Sequence, residues 1–372
     1  MVRPKTLFIS NISRGILNFA RSAINAAQEL GYEFHIAANF TDFADDAGKY
    51  GVIVHHVDIV RNPFSPMNIR AFRQMLALLE QEKFDLVHCN TPIGGVLGRL
   101  CSRIAGVPKV IYTAHGFHFY DGAPAIDWVL YYSAERLLAR LTDVIITISS
   151  EDYQRAVKSF RAGRIEYVPG IGLDTRRFAG ARAWRQTKRK ELGIPCNAVV
   201  LLSVGELNKN KDHETVVKAV AKVPDPSVHY LICGSGSREH RLGQLIEALG
   251  LSNRVRLLGF RSDVDQICGA ADIFVLPSHR EGLPVALMEA MASGLPVVCS
   301  DIRGNRDLIV NGEGGILCRP GDSDEFAAAI STLAADKDRR HLMGLRNQEK
   351  VRQFDIDRVT LELKRIYERE LS

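Results

Sequence analysis

Short apolar runs alternate with amphipathic stretches along the whole chain. "TLFIS" is followed by "ILNFARSAINAAQELG", whose apolar positions recur at helical spacing and which Gly31 is placed to stop. "EFHIAAN" and "VIVHHV" then read as strands, and "IRAFRQMLALLEQEK" as a helix. "FDLVHCN" and "KVIYTAHG" are strands around the helix "GGVLGRLCSRIAG", and the helix "DWVLYYSAERLLARL" leads into the strand "DVIITISS". Strand and helix in strict alternation predict a parallel, doubly wound sheet.

"YVPGIGLDTRRF" breaks that rhythm with Pro169, Gly170 and Gly172. The basic stretch "RAWRQTKRKELG" follows and reads as a solvated helix face. Alternation then restarts with "AVVLLSVGEL", a helix from about His213, "VHYLICGSG", the helix "RLGQLIEALG", "VRLLGF", "DIFVLPS", a helix after Glu281, "LPVVCSD" and "GGILCRP". The tail "DRVTLELKRIYERELS" is one amphipathic helix. The predicted class is α/β with two doubly wound, Rossmann-like domains: 1–170, 171–355, and a closing helix over 356–372 that packs back on the first domain. Open α/β sheets bind ligands outside the C-terminal ends of their strands, so the expectation is a cleft lined by both sets of strand ends.

A chain of 372 residues suits two cores, and 46% hydrophobic with 24% charged residues is a globular balance. Lys and Arg (48) exceed Asp and Glu (43) only slightly, and no basic tract carries interleaved aromatics, so nucleic acid is not an expected partner. The seven cysteines are scattered with no C-x-x-C, which fits a reducing compartment and gives no zinc spacing. The opening reads as a first strand, not a signal peptide, and no apolar run approaches the ~20 residues that span a bilayer. The expected location is cytoplasmic, with any membrane contact peripheral.

"HREGLPVALMEAMASGLPVV" sets two glutamates, Glu281 and Glu289, in an otherwise uncharged setting. An isolated buried carboxylate is costly unless something pairs with it. Pro284 suits a first helical turn, which puts a helix N-terminus near Gly282. Free amides at such an end attract an anion such as a diphosphate, and Gly282 lets the backbone come close. Glu281 then faces a sugar on that diphosphate, and Glu289 can accept from both hydroxyls of a ribose. On spacing alone, a helix-start carboxylate and an exposed helix glutamate explain the pair equally well.

The stretch resembles the Glu-x7-Glu signature of glycosyltransferase family 4, the retaining enzymes of the GT-B fold, and the match runs on through Ala-Met-Ala, Gly and Pro-Val. The resemblance extends to "VGELNKNKD", "CGSG", "LGFRSDV", "DIFVLPS" and "YTAHGFHFY", and its first half is most similar to bacterial enzymes of exopolysaccharide and capsule assembly. It implies a nucleotide-sugar donor, UDP-linked, and catalysis without a metal. It places Gly205, Lys209, Gly234, Arg261, Gly282, Leu283 and Glu289 at the donor, and Lys211 and Glu281 at the reacting diphosphate and sugar. The family carries Arg where this chain has Glu206, which leaves Lys209, Lys211 or Arg280 to hold the diphosphate.

In "TAHGFHFYDG" the resemblance sets His115 at the reacting sugar, with His118 a packed neighbour. "SNISRG", with Asn11, Arg14 and Gly15, resembles a phosphate and acceptor loop, although the usual double glycine is absent. Asp263 and Asp265 mimic a metal motif, but Ser262 and Asp263 suit a helix N-cap, so no metal site is expected. Arg303, Gly304 and Asn305 fall on a strand exit near the donor.

The expected function is transfer of a hexose or N-acetylhexosamine, with retention, onto a polyprenyl-diphosphate-linked glycan at the inner face of the cell membrane, an anionic surface. Two alternatives stay open on sequence: a GT-B nucleotide-sugar epimerase, and a non-catalytic partner in a polysaccharide-assembly complex.

Overall fold

The computed structural model describes residues 3–12, 18–41, 47–120 and 122–371. The chain forms two compact units, Met1–Gly172 with Ile356–Ser372, and Leu173–Asp355.

The first unit is a seven-stranded parallel sheet in the order β3-β2-β1-β4-β5-β6-β7. Its strands are β1 Lys5–Ile12, β2 Glu33–Asn39, β3 Ile53–His56, β4 Leu86–Asn90, β5 Lys109–Ala114, β6 Val144–Thr147 and β7 Arg164–Tyr167. All five residues of β4 are buried, as expected where helices cover both faces of a parallel sheet. Alternation along β1 sends Leu7 and Ile9 into one core, with Met75, Leu97 and Phe119, and Phe8 into the other, with Ile24 and Phe34. The closing helix Ile356–Leu371 packs on Asn18–Glu29 and joins the second of these cores. Its Tyr367 hydroxyl lies 2.6 Å from His88 Nδ1, and His88 Nε2 lies 2.7 Å from Thr113 Oγ1. Burial pushes His88 down to about 3, so the imidazole is neutral and donates with one nitrogen while accepting with the other.

Two features depart from the sequence pattern. β7 is a strand that the pattern does not reveal. "DWVLYYSAERLLARL" is not one regular helix: a π-helical turn, Trp128–Tyr132, precedes the α-helix Ser133–Leu138 and the 3₁₀ turn Ala139–Leu141. Trp128, Tyr131 and Tyr132 fall within the π turn and pack on Phe119 or His118, so aromatic packing overrides the helical period.

The second unit is a six-stranded parallel sheet in the order β10-β9-β8-β11-β12-β13. The strands are β8 Val199–Val204, β9 Val228–Cys233, β10 Val255–Leu257, β11 Ile273–Leu276, β12 Val297–Ser300 and β13 Gly315–Cys318. The basic stretch before β8 corrects the solvated reading. It forms the helix Arg185–Glu191, in which Lys188 and Arg189 are buried. Arg185 and Arg189 both bind the Asp272 carboxylate, at 2.7 and 2.6 Å, and Lys188 binds Asp263 at 2.6 Å. Residues 185, 188 and 189 share one helical face, and carboxylates far along the chain meet it.

Candidate active site

In the second unit, the loops leaving β8, β9, β11 and β12 are drawn together by backbone contacts that only glycine permits. Gly234 has φ +149°, and a Cβ there would strike the carbonyl of Gly205. A Cβ on Gly304 would likewise strike the carbonyl of Gly282. Gly205 donates to Cys233 O at 2.9 Å, and Gly234 to Gly259 O at 2.7 Å. The expected donor glycines are therefore the points where the loops touch.

The β8 and β11 exits are also joined side to side. His279 N donates to Asn210 O (2.8 Å), and Asn210 Nδ2 to Arg280 O (2.9 Å). Asp212, in the left-handed region at φ 44°, pairs with His279 at 3.1 Å. This turn carries Lys211, whose Nζ binds Glu281 Oε1 at 2.6 Å with both side chains mostly buried. Two of the three expected reacting-centre residues thus form one ion pair. Lys209 and Glu206, on the same β8 exit, are exposed.

The helix after Glu281 starts later than expected. It spans Val285–Ala292, and Pro284 is its N-cap rather than a first-turn residue, with φ −73° and ψ 116°. Extended ψ at Pro284 delays helical geometry by one residue, and no side chain caps the end. Its first amides are left to face an anion. Leu283 is buried under this turn, and Arg303 Nε approaches Glu281 O at 3.4 Å. Asn305 is buried and donates to Ser300 O at 2.8 Å, so it braces the strand exit.

Glu289 is half-buried, and burial pushes its carboxyl up to about 7, against the lowering pull of Arg177; Asp265 adds to the rise. Its carboxylate accepts no hydrogen bond from the described residues. A group held near neutrality is suited to receive ligand hydroxyls, which restore its lost solvation. Arg261 is different: its guanidinium binds Asp263 through Nε (2.8 Å) and an Nη (2.7 Å), and Glu191 at 3.1 Å. Asp263 does hold the N-cap position of Val264–Ala270, but it makes no capping bond, because Arg261 and Lys188 take its oxygens. Asp265 is bound by Arg177 at 3.1 Å. Both would-be metal ligands are spent on cations.

In the first unit, His115 follows β5 and its Nε2 lies 2.9 Å from Asn90 Oδ1. Asn90 Nδ2 donates to His88 O at 3.3 Å, which fixes the amide so that Oδ1 faces His115. His115 therefore carries its proton on Nε2, and burial pushes it down to about 4, leaving it neutral at pH 7. Asn11, at the end of β1, accepts from Thr91 Oγ1 and from Gly94 N, both at 2.7 Å. Thr91 has φ 63° and ψ 155°, a region close to glycine-only. Its neighbours hold it there: the single Oγ1 proton lies between Asn11 Oδ1 and Asn90 O, and Pro92 starts the next helix. Arg14 and Gly15 lie outside the described residues. His118 packs against Tyr131 with the rings tilted by 30° and centroids 4.7 Å apart.

Sequence reasoning missed Asn90, Thr91, Asp212 and Arg177. None has a local signature: each acts through a residue distant in the chain or through a backbone angle.

Two doubly wound units, with an anion-ready helix end beside a lysine–glutamate pair, define a GT-B glycosyltransferase. The chain belongs to glycosyltransferase family 4. The Glycosyltransferase Family 4 profile matches residues 13–177, and that of Glycosyl transferases group 1 matches 185–350. It is 36% identical over 369 residues to the protein named glycosyltransferase EpsD of Bacillus subtilis (strain 168), covering 98% of this chain and 96% of that one. It is 32% identical over 304 residues to the UDP-Gal:alpha-D-GlcNAc-diphosphoundecaprenol alpha-1,3-galactosyltransferase of Escherichia coli, covering 80% and 78%. The structure of Anabaena Alr3699/HepE in complex with UDP and glucose superposes with a TM-score of 0.83 at 22% identity, over 99% of this chain and all of that one.

The elevated carboxyl of Glu289 gives a two-sided prediction. A carboxyl raised above its unfolded value of 4.5 costs stability as pH rises from that value to its folded value of about 7, because over that range the unfolded chain has lost the proton that the folded one keeps. Glu289→Gln is therefore expected to raise the Tm of the free protein at pH 8, by about 2–4 °C for each kcal/mol gained. The same change is expected to raise the donor KM several-fold with kcat nearly unchanged, since a ribose contact serves ground and transition states alike. Thermal unfolding and steady-state kinetics check both halves. An unchanged donor KM would remove the ribose contact.

Proposed function

We propose that this enzyme transfers a hexose or N-acetylhexosamine from a UDP-sugar, with retention, onto a polyprenyl-diphosphate-linked glycan in cell-surface polysaccharide assembly. The observation that carries this reading is the Lys211–Glu281 pair at the uncapped start of helix Val285–Ala292, with the open carboxylate of Glu289 on that helix. An ammonium and helix amides suit a diphosphate, and a carboxylate with no protein donor suits a ribose. The E. coli relative acts on a diphosphoundecaprenol-linked sugar and takes UDP-Gal, and the Anabaena structure holds UDP; both support a UDP-sugar, and the first supports a lipid-linked acceptor.

The proposed chemistry is same-face attack. The acceptor hydroxyl adds to the anomeric carbon on the face the diphosphate leaves, and the departing diphosphate takes the proton. Lys211 and the helix amides stabilise the charge that grows on the leaving oxygen. Glu281 keeps Lys211 oriented, and the neutral His115 offers hydrogen bonding to the sugar. Metal chemistry has no part in this scheme, so EDTA is expected to leave turnover within about twofold. Loss of activity restored by magnesium or manganese would return Asp263 and Asp265 to consideration.

The enzyme is proposed to work at the inner face of the cell membrane without crossing it. Among the described residues no helix is long and apolar enough to span a bilayer. The segment 61–73 mixes exposed Phe64, Met67 and Ile69 with Arg61, Arg70 and Arg73. Basic residues near an anionic surface contribute about 1 kcal/mol each, screened by salt. The protein is expected to pellet with anionic vesicles at low salt and to be released at high salt. Equal pelleting with neutral vesicles would contradict an electrostatic contact.

The donor is tested by thermal shift across UDP-, GDP-, ADP- and dTDP-sugars, since a bound ligand stabilises by mass action. A shift confined to UDP-sugars is expected, and a shift from another base alone would overturn the donor assignment.

A further inference from the structure

A cavity of about 390 Å³ opens in the first unit, between the start of helix Pro92–Ile104, the loop after β5 and the π turn Trp128–Tyr132. That size lies within the ~300–1,000 Å³ of small-molecule sites. Thr91 and His115 are on its wall, so it adjoins the acceptor side of the candidate site. Most of the wall is apolar: Phe64, Ile93, Val96, Phe117, Leu130 and Ala134.

Several polar groups of the wall are already engaged within the protein. Glu135 accepts from two guanidinium nitrogens of Arg99, at 2.8 and 3.2 Å, and from the Tyr112 hydroxyl at 3.1 Å. Arg99 is fully buried, with its guanidinium 3.9 Å from the centroid of the Tyr112 ring. Thr91 Oγ1 is taken by Asn11. A sugar in this cavity would have to exchange many water hydrogen bonds for few protein ones; a hydrocarbon has none to lose.

The rim has the same character. Phe64 is 78% exposed and Leu130 41%, while Ile126 and Val129 extend the apolar surface at 67% each. Arg61 stands two residues before Pro63, and exposed Arg73 lies on the helix that follows, Met67–Glu82, so the apolar mouth is flanked in sequence by positive charge. An apolar slot beside basic residues fits an anionic head on a hydrocarbon chain.

We propose that this cavity seats the head-proximal isoprenoid units of a polyprenyl diphosphate, the lipid that carries the acceptor sugar. The proposal rests on the lipid-linked acceptor read above and adds where the lipid enters: past Phe64 and Leu130, with its diphosphate at the mouth. Specificity for a lipid-borne acceptor is then built into this cavity as well as into the sugar contacts.

The test uses the full-length protein and farnesyl diphosphate as probe, titrated by calorimetry, with inorganic diphosphate as control. Saturable one-to-one binding of farnesyl diphosphate is expected, with at least tenfold weaker binding of inorganic diphosphate. Ala134→Phe, which places a ring in the cavity from helix Ser133–Leu138, is expected to weaken farnesyl diphosphate at least tenfold. Circular dichroism checks that this variant is folded; if it is not, Phe64→Ser at the exposed rim is expected to weaken the probe several-fold. Equal affinity of a folded variant and the wild type, or of the probe and inorganic diphosphate, would overturn the proposal. Binding is read without sugar transfer, so the two readings fail separately. Farnesyl diphosphate binding with no transfer from any nucleotide-sugar would sink the proposed function alone. Transfer to a lipid-linked acceptor with undiminished probe binding in Ala134→Phe would sink the lipid cavity alone.

Discussion

Lys211→Ala is expected to lower kcat by about 10²–10³, equivalent to about 2.7–4 kcal/mol of lost transition-state stabilisation. The ammonium is held 2.6 Å from Glu281 by a turn that Asn210, Asp212 and His279 fasten to the β11 exit, so it is oriented before any ligand arrives. Charge on the leaving diphosphate grows as the glycosidic bond breaks, and a cation fixed beside it gains strength as the bond lengthens. Both kcat and kcat/KM therefore fall, in contrast to the pure KM effect expected at Glu289. Lys209→Ala is the comparison: that side chain is exposed and outside the ion pair, and its loss is expected to raise the donor KM while leaving kcat nearly unchanged. Steady-state kinetics with near-wild-type kcat in Lys211→Ala would transfer the role to Lys209 or Arg280.

Asp272→Ala is expected to destabilise the second unit by about 3–5 kcal/mol, the cost of removing one partner from a buried ion pair. The carboxylate is 9% exposed and is shared by Arg185 and Arg189. It also accepts from Val200 N at 2.9 Å, so it ties the basic helix to the sheet. Deleting it leaves Arg189, equally buried, without its countercharge. Against the ~5–15 kcal/mol of ordinary domain stability, the loss would leave this unit marginal. Urea unfolding of the variant measures it. A loss below about 1 kcal/mol would mean that the basic helix behaves as the solvated face its composition suggests.

The strands were legible because a parallel sheet covered on both faces makes each buried strand a short apolar run, and "EFHIAAN" is β2 residue for residue. β7 was not: "RIEY" is only partly buried at the sheet edge and lacks such a run. The Glu281–Glu289 spacing was legible through residue type in an uncharged setting. The helix start three residues after Gly282 was not, because ψ at Pro284 decides it. The misread basic stretch shows the limit most clearly. Composition marks "RQTKRK" as surface, and only the fold brings Asp272 to Arg189, 83 positions away. The same holds for Asn90 orienting His115 and for Arg177 acting on Glu289. Residue types and local spacing identify what can do chemistry; partners set by the fold decide in which protonation state it does so.

The most direct test of the central claim is the anomeric configuration of the product. The purified enzyme is incubated with a UDP-α-hexose or UDP-α-N-acetylhexosamine and a sugar-diphosphate-polyprenol acceptor, and the new linkage is read by proton NMR from its anomeric coupling. An α linkage on the lipid-linked sugar is predicted. A β linkage, or no transfer from any UDP-sugar to such an acceptor, would contradict the account.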